Sequence, residues 1–183
     1  MTWTDGVRPR LAELAAADPE CTAFGVSRHR YQLGPALSES EVAAFEQSYG
    51  ITLPAEYREF VRRVGNGGAG PCYGLYQLDG AELVEQNRED WLRPEHFATP
   101  FPHTEFWNPN SPELTMTDDE YFDPKWDTGS IIIDHYGCGH FYRLIVTGPA
   151  RGQVWFDGRA SDEGLTPGPD FTTWYLDWLN KDR

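Results

Sequence analysis

The chain has 183 residues and is strongly acidic, with 15 lysines and arginines against 29 aspartates and glutamates and a formal net charge of −14. This charge opposes binding to nucleic-acid phosphates. It suits a basic protein partner, although an acidic surface can also serve solubility alone. The length predicts one domain, residues 1–183, and the 14% aromatic content is ample for a core.

The sequence carries no signal for a membrane or for secretion. No apolar run approaches the roughly 20 residues of a membrane helix. The stretch from Met1 to Asp5 lacks the basic start and apolar segment of a signal peptide. Cys21, Cys72 and Cys138 are an odd number of scattered cysteines, which predicts no disulfide framework. We therefore expect a cytoplasmic protein.

The N-terminal part, residues 1–32, is predicted to be a helical extension. Val7, Leu11 and Leu14 recur at helical spacing and indicate a helix over Gly6–Ala17. The segment Cys21–Pro35 has no period and is expected to be irregular.

Two capped helices are predicted next. Ser38 and Glu41 form a capping box for the first, and Gly50 supplies a left-handed stop. Pro54 suits the first turn of the second, which Gly65 ends. The glycine-rich run after it is no phosphate loop, because a phosphate loop follows a strand and carries a lysine.

The middle of the chain is predicted from weaker signals. Cys72–Leu78 has the composition of a strand, and Ala81–Leu92 could hold a helix. The segment of about 94–126 carries several prolines, which forbid long regular elements, yet it is too aromatic for a free linker. We expect an ordered loop that wraps the body and is pinned to it by its aromatic side chains.

The last third predicts a sheet followed by a helix. Strands are expected over Ser130–Asp134, His140–Thr147 and Gln153–Asp157, and Asp170 caps a helix with an aromatic stripe. His140–Thr147 is apolar on both faces and is therefore expected to be central. The fold class is α+β, in one domain, with several helices on an antiparallel sheet; a mixed sheet stays open.

His135, Cys138 and His140 invite a catalytic or metal interpretation. They supply only three ligands, in a spacing that matches no standard zinc finger. A Cys138 nucleophile would need a positioned histidine base, which a sequence does not reveal. Gly137 and Gly139 instead suggest a tight hairpin around a small buried thiol. We expect no metal, no cofactor and no catalytic residue.

Two acidic clusters remain, and the first is the candidate binding site. In the second cluster, Asp157, Asp162 and Glu163 follow the late strand. The first cluster, between Asp118 and Asp127, fits no calcium loop. Three interpretations of it stay open: a solvated face, carboxylates for catalysis, or a surface that binds a basic protein through acidic and aromatic side chains. The candidate residues are Trp107, Asp118, Asp119, Glu120, Tyr121, Phe122, Asp123, Trp126 and Asp127.

The order of motifs resembles the SUKH superfamily. The family pattern of two helices and an Asn-Gly-Gly turn matches Leu37–Glu46, Leu53–Phe60 and Asn66–Gly68. Further matches lie at Gly137–Trp155 and in the tail Phe171–Leu179. The resemblance covers residues 33–179, with a divergent loop at about 94–126.

The resemblance implies a non-enzymatic protein-binding module. Bacterial members act as immunity proteins that neutralise toxins of competing cells, and this mode of action would be occlusion of a basic toxin domain. An alternative is an intracellular regulatory or scaffold protein with an endogenous partner. A hydrolase centred on Cys138 is the remote alternative.

Overall fold

The structure is a computed structural model that describes residues 2–78, 80, 94–110 and 116–181. The described residues form seven α-helices and four strands. The helices are α1 (Val7–Ala17), α2 (Val26–His29), α3 (Glu39–Tyr49), α4 (Ala55–Arg63), α5 (Pro94–Ala98), α6 (Asp118–Tyr121) and α7 (Phe171–Leu179). The strands are β1 (Ser130–Gly137), β2 (His140–Ile145), β3 (Val154–Asp157) and β4 (Leu165–Thr166).

The four strands form one antiparallel sheet in the order β1-β2-β3-β4. The predicted α+β class with an antiparallel sheet is therefore confirmed. Strand β2 pairs with both β1 and β3, so it is internal, as its apolar residues indicated. The register places Arg143 opposite Ile132 and Trp155, and Leu144 opposite Ile131 and Val154.

Helices cover one face of the sheet, which we call the helical face. Their buried side chains share the main core with Leu144 and Val154 of the sheet. The helix α3 begins with the predicted capping box: Ser38 Oγ accepts a hydrogen bond from the Glu41 N–H at 3.2 Å. Phe171 at the start of α7 packs its ring edge-to-face on Tyr57 of α4, with centroids 5.0 Å apart. Aromatic contacts of this kind add to the area they bury.

The N-terminal helix belongs to this core. Val7, Leu11 and Leu14 of α1 are buried in it. Trp3, in a 3₁₀ turn before α1, stacks on Phe60 with ring centroids 6.2 Å apart.

The opposite face of the sheet, which we call the loop face, is covered by the predicted wrapping segment. Ile145, Trp155 and Leu165 form a second buried cluster there with Phe101. The wrapping segment contains the short helices α5 and α6 and a 3₁₀ turn at Pro124–Trp126. The helix α5 packs against α3 instead: Phe97 belongs to the main core, and its ring lies 5.0 Å from that of Tyr49.

Three local predictions differ from the structure or lie outside it. Cys72–Leu78 is not a strand: Cys72 and Gly74 have φ of +48° and +93°, and only Leu75 makes isolated bridges, to Gly68 and Asp134. The segment Cys21–Pro35 holds the short helix α2. The predicted helix over Ala81–Leu92 lies outside the described residues.

Candidate partner-binding surface

An aromatic stack fixes the wrapping segment above the loop face. The Trp107 and Tyr121 rings are nearly parallel, with centroids 5.6 Å apart, and Trp126 lies 5.0 Å from Trp107. His103 lies 5.0 Å from Trp107 on the inner side of the stack. Phe101 meets Trp155 of the sheet edge-to-face at 4.9 Å.

Hydrogen bonds hold the same segment in one register. Trp107 and Leu165 of β4 exchange both backbone hydrogen bonds, at 2.9 and 2.7 Å. The Trp126 indole N–H donates to the Glu120 carbonyl at 2.9 Å, and His103 Nε2 bonds the Trp126 carbonyl at 2.9 Å. These bonds tie the described residues of the segment to β4 and to one another, and we call this part of the segment the platform.

A buried ionic cluster lies beneath this platform. Arg159 contacts Asp127 at 2.6 Å and Asp157 at 2.7 Å, while Arg143 contacts Asp157 at 2.6 Å and Asp127 at 3.2 Å. All four side chains are almost completely buried. His96 Nε2 approaches the second oxygen of Asp127 at 3.4 Å. One carboxylate thus joins α5, β2 and the turn after β3.

The charges of the cluster compensate one another. Burial alone would favour a protonated Asp157, but the adjacent Arg143 and Arg159 outweigh it and hold the pKa of Asp157 well below its usual range. Burial opposes the charge of Arg159 in the same way, but Asp157 and Asp127 raise its pKa. Burial lowers the pKa of His96 despite the nearby Asp127. Asp157 and Arg159 therefore keep their charges in the interior, because each is paired with an opposite charge.

The helix α6 presents an acidic turn at the outer surface of the platform. Thr117 and Glu120 form a capping box, in which the Glu120 carboxylate accepts from the Thr117 N–H at 3.0 Å. The Thr117 N–H lowers the pKa of Glu120, whose carboxylate is thus used within the turn. Asp118 and Asp119 are exposed, and their side chains make no hydrogen bond or ion pair with described residues. These two carboxylates remain available to a partner.

An exposed aromatic ring lies directly after this turn. Phe122 is 39% exposed, and its ring lies 5.5 Å from the Arg159 guanidinium of the ionic cluster. Asp123 is half-buried and pairs with Lys125 at 3.0 Å, and Lys125 lies over the Trp126 ring. Phe122 therefore adds exposed apolar surface next to Asp118 and Asp119, and Arg159 of the ionic cluster lies against its ring.

The structure divides the candidate residues by their exposure. Asp127 and Tyr121 are buried, so they support the surface from below and do not reach a partner. Trp107 and Trp126 are half-buried members of the stack. Asp157, grouped by sequence with an acidic surface, is also buried. We call the remaining candidates, of which Asp123 is half-buried and the others are exposed, the acidic surface: Asp118, Asp119, Glu120, Phe122 and Asp123.

Sequence analysis did not identify Arg143 and Arg159. Their ion pairs with Asp127 and Asp157 allow these two aspartates to be buried. The available signal was Arg143 itself, a single charged residue within the otherwise apolar centre of β2. A buried arginine requires acidic partners in the core.

The structure places His135 in β1, His140 in β2 and Cys138 in the turn between the two strands. Cys138 is exposed at the tip of a two-residue hairpin turn, where Cys138 and Gly139 both have positive φ, so the expected buried thiol is wrong. His140 bonds the Ser161 hydroxyl at 2.9 Å, and His135 stacks on Phe141. Among the described residues, no three histidine, cysteine or acidic side chains are grouped to hold a metal ion.

The fold and the surface together define an α+β protein with helices on one sheet face and the acidic surface on the other. The model of the SMI1 / KNR4 family (SUKH-1) matches residues 36–177, and the chain belongs to this family. The match includes the wrapping segment. No curated protein matches the chain significantly. In the part of the chain that the structure describes, no helix combines the length and the apolar character needed to cross a bilayer.

Proposed function

We propose that this protein is a non-enzymatic binding module that acts as an immunity protein and neutralises a bacterial toxin by covering its active face. Membership of the SUKH family is consistent with such a role. The observation that carries the proposal is the acidic surface: Asp118 and Asp119 are exposed and unpaired among the described residues, beside the exposed Phe122 and above the ionic cluster.

The physical features of this surface suit rapid recognition of a basic protein. A net charge of −14 attracts a basic toxin over a distance, and the carboxylates of α6 orient it. Phe122 supplies the apolar anchor that acidic side chains lack. Since the platform is ordered in advance, little conformational entropy is lost on binding. Rapid capture matters for immunity because the toxin must be bound before it acts.

A capture experiment identifies the partner and separates toxin immunity from endogenous regulation. The tagged protein is mixed with lysates of its own host and of competing strains, and the bound proteins are identified by mass spectrometry. Each purified partner is then expressed with and without this protein. We expect a basic partner that stops growth alone and is harmless in the presence of this protein. A harmless housekeeping partner would instead support the regulatory alternative and contradict immunity.

Charge reversal tests whether the acidic surface is the interface. We expect Asp118→Lys/Asp119→Lys to reduce the association rate with the captured partner at least about tenfold at low salt, because steering charges act mainly on that rate. The matched control is Glu20→Lys/Glu56→Lys, which changes the net charge equally at two exposed positions elsewhere. Stopped-flow or biolayer interferometry across a salt series measures the rates, and circular dichroism checks folding. Equal effects of the two double variants would place the interface elsewhere.

A further inference from the structure

A groove of about 480 Å³ lies beside helix α1, on a part of the surface that the proposed function does not use. One wall is a single face of α1, and the other is the segment that follows α2. The first wall consists of Arg8, Leu11, Ala12 and Ala15, and the second of Arg30, Tyr31, Gln32 and Leu33. Each wall therefore contributes one arginine.

The charge of the groove is opposite to that of the whole chain. Arg8 and Arg30 line it, and none of the described lining residues is acidic, although the chain has a net charge of −14. The excess of negative charge lies elsewhere, because the first 33 residues contain four arginines and four acidic residues. Salt screens remote carboxylates, so the two arginines determine which charge the groove attracts at close range.

Neither arginine of the groove is paired with a carboxylate of the described residues. Arg8 is exposed and donates a hydrogen bond to the Val64 carbonyl at 2.5 Å, which is a neutral acceptor. The side chain of Arg30 is exposed and makes no hydrogen bond or ion pair within the part of the chain that the structure describes. The neighbouring Asp18 carboxylate already accepts hydrogen bonds from the Tyr31 hydroxyl and from two backbone N–H groups.

The backbone conformation of Arg30 is unfavourable for a residue with a long side chain. Arg30 ends α2 in the left-handed conformation, with a φ of +51°. Glycine is the usual residue at such a helix end and asparagine the next, because other side chains are strained there. Tyr31 is also left-handed, but its ring is buried in the core. The exposed Arg30 has no such packing, so its presence at a strained position indicates a role for the guanidinium.

The second wall also carries an unpaired backbone edge. Leu33 and Gly68 form an antiparallel bridge in which only the residues on either side of Leu33 make the hydrogen bonds, at 3.0 and 2.7 Å. In a pair of this type, the N–H and C=O groups of Leu33 point away from Gly68. Neither group has a hydrogen-bond partner among the described residues. Leu33 lines the groove and Gly68 does not, so the unpaired edge is on the side of the groove.

We propose that this groove binds an extended acidic segment of a partner protein, which pairs with the backbone of Leu33 and presents carboxylates to Arg8 and Arg30. An extended segment can add to an unpaired strand edge through its own N–H and C=O groups. Its alternate side chains lie on one face, and carboxylates there form charge-assisted hydrogen bonds with guanidinium groups. A peptide fits better than a small anion, because only a peptide supplies both the backbone partner and the charge. The groove shares no residue with the acidic surface, and the inference does not rest on the proposed function.

Peptide titration of the full chain, followed by nuclear magnetic resonance, tests the proposal. The probe is acetyl-Thr-Glu-Val-Glu-Thr-amide, and the charge control is the same peptide with glutamine in place of both glutamates. We expect the probe to shift the backbone N–H signal of Leu33 saturably and to bind at least about tenfold more tightly than the glutamine peptide at low salt. A second control carries methyl groups on its three central backbone nitrogens, which prevents strand pairing, and should bind severalfold more weakly than the probe.

Each control has a result that contradicts the proposal. Absence of a saturable shift at Leu33 would overturn it entirely. Equal affinity of the glutamine peptide would overturn recognition by charge, and equal affinity of the methylated peptide would overturn pairing with the backbone. Inorganic phosphate that shifts the same signals with the same affinity as the probe would show a site for small anions and overturn the protein-segment assignment.

Three variants locate the binding. Arg30→Asn is expected to weaken binding of the probe about tenfold. It should not lower the free energy of unfolding, because asparagine tolerates the left-handed conformation of this position. Arg8→Gln is expected to weaken binding severalfold. Arg10→Gln removes the same charge from the same helix outside the groove, so it is the matched control and should leave the affinity unchanged. Unchanged affinity in both Arg8→Gln and Arg30→Asn, or an equal loss in Arg10→Gln, would overturn the assignment to this groove.

Discussion

Asp127 shows how one carboxylate can hold several elements together. Its oxygens meet Arg143 of β2, Arg159 of the turn after β3 and His96 of α5. These residues are far apart in sequence, so the side chain adds an ionic link to the apolar packing between the wrapping segment and the sheet. Removal of one member of a buried ion pair leaves uncompensated charge in the interior, which costs more than the pair itself contributes.

We therefore expect Asp127→Asn to lower the free energy of unfolding by about 3 kcal/mol. The amide keeps the size of the side chain but leaves two buried arginines with Asp157 as their only carboxylate among the residues described in the cluster. Urea unfolding followed by tryptophan fluorescence measures the change. Asp119→Asn, at an exposed carboxylate, is the control and should change stability by less than about 0.5 kcal/mol. Equal midpoints for the two variants would show that the ionic cluster contributes no stability.

The ionic cluster also shows what sequence reasoning could not provide at the level of single residues. Asp127 was assigned to the candidate surface because aspartates are usually exposed and it follows several acidic residues. Its burial depends on Arg143 and Arg159, which follow 16 and 32 positions later in the sequence. Pairing over such separations is a property of the folded sheet and leaves no local pattern. The exposed members of the same run, Asp118 and Asp119, follow the usual rule.

At the scale of elements, the helix ends carry the clearest local signals. The capping boxes at Ser38 and Thr117 start α3 and α6, and Gly50 ends α3 with a φ of +63°. Between α3 and α4, Arg58 pairs with Glu46 at 3.1 Å and also with Glu39. Local caps thus define the ends of α3, and Arg58 of α4 joins the two helices.

Loss of the Ser38 cap should destabilise the protein measurably. We expect Ser38→Ala to lower the free energy of unfolding by about 1 kcal/mol, because the Glu41 N–H loses its acceptor at the first turn of α3. Ser48→Ala, at an exposed position inside the same helix, should change it by less than about 0.5 kcal/mol. Urea unfolding of the two variants and the parent chain provides the comparison. A loss as large for Ser48→Ala would show that the effect is not one of capping.

The sequence was most informative where an element depends on its own residues. The boundaries of α1, α3, α4 and α7 and the pairing of β1 to β3 agree with local periods, caps and turns. Cys72–Leu78 has strand composition, yet the positive φ of Cys72 and Gly74 prevents an extended backbone. The backbone at Gly74 is also closely packed, because a Cβ there would lie 2.5 Å from the Gly68 carbonyl oxygen. Such proximity between distant backbone segments is not visible in a local pattern.

At the scale of the whole molecule, the sheet separates two surfaces of different chemistry. The loop face carries the acidic surface above a buried network of arginine–aspartate ion pairs. The helical face covers Asp134, a buried carboxyl group whose two oxygens lack a hydrogen-bond partner in the part of the chain that the structure describes. Groups that share no partners are expected to respond to substitution independently.

The shifted pKa values of buried groups make stability depend on pH, and the direction differs between the loop face and the helical face. For Asp157, the lowered pKa contributes stability above about pH 4 that is lost as the pH falls further. For His96 and His103, burial lowers the pKa, so stability falls as the pH drops below about 6.5. For Asp134, the raised pKa has the reverse sign: its contribution is fully present below about pH 4 and decreases as the pH rises toward the folded-state pKa.

Asp134→Asn should therefore stabilise the protein at neutral pH. The amide cannot ionise, so the variant avoids the cost that wild-type folding bears once the unfolded Asp134 has lost its proton. We expect nearly equal stabilities near pH 4 and a gap that widens with pH, at up to about 1.4 kcal/mol per pH unit, until the folded-state pKa is reached. Urea unfolding at pH 4, 5.5 and 7 measures the difference, in which the shared histidine and Asp157 effects cancel. Parallel pH profiles would mean that Asp134 is as easily ionised in the folded chain as in the unfolded one.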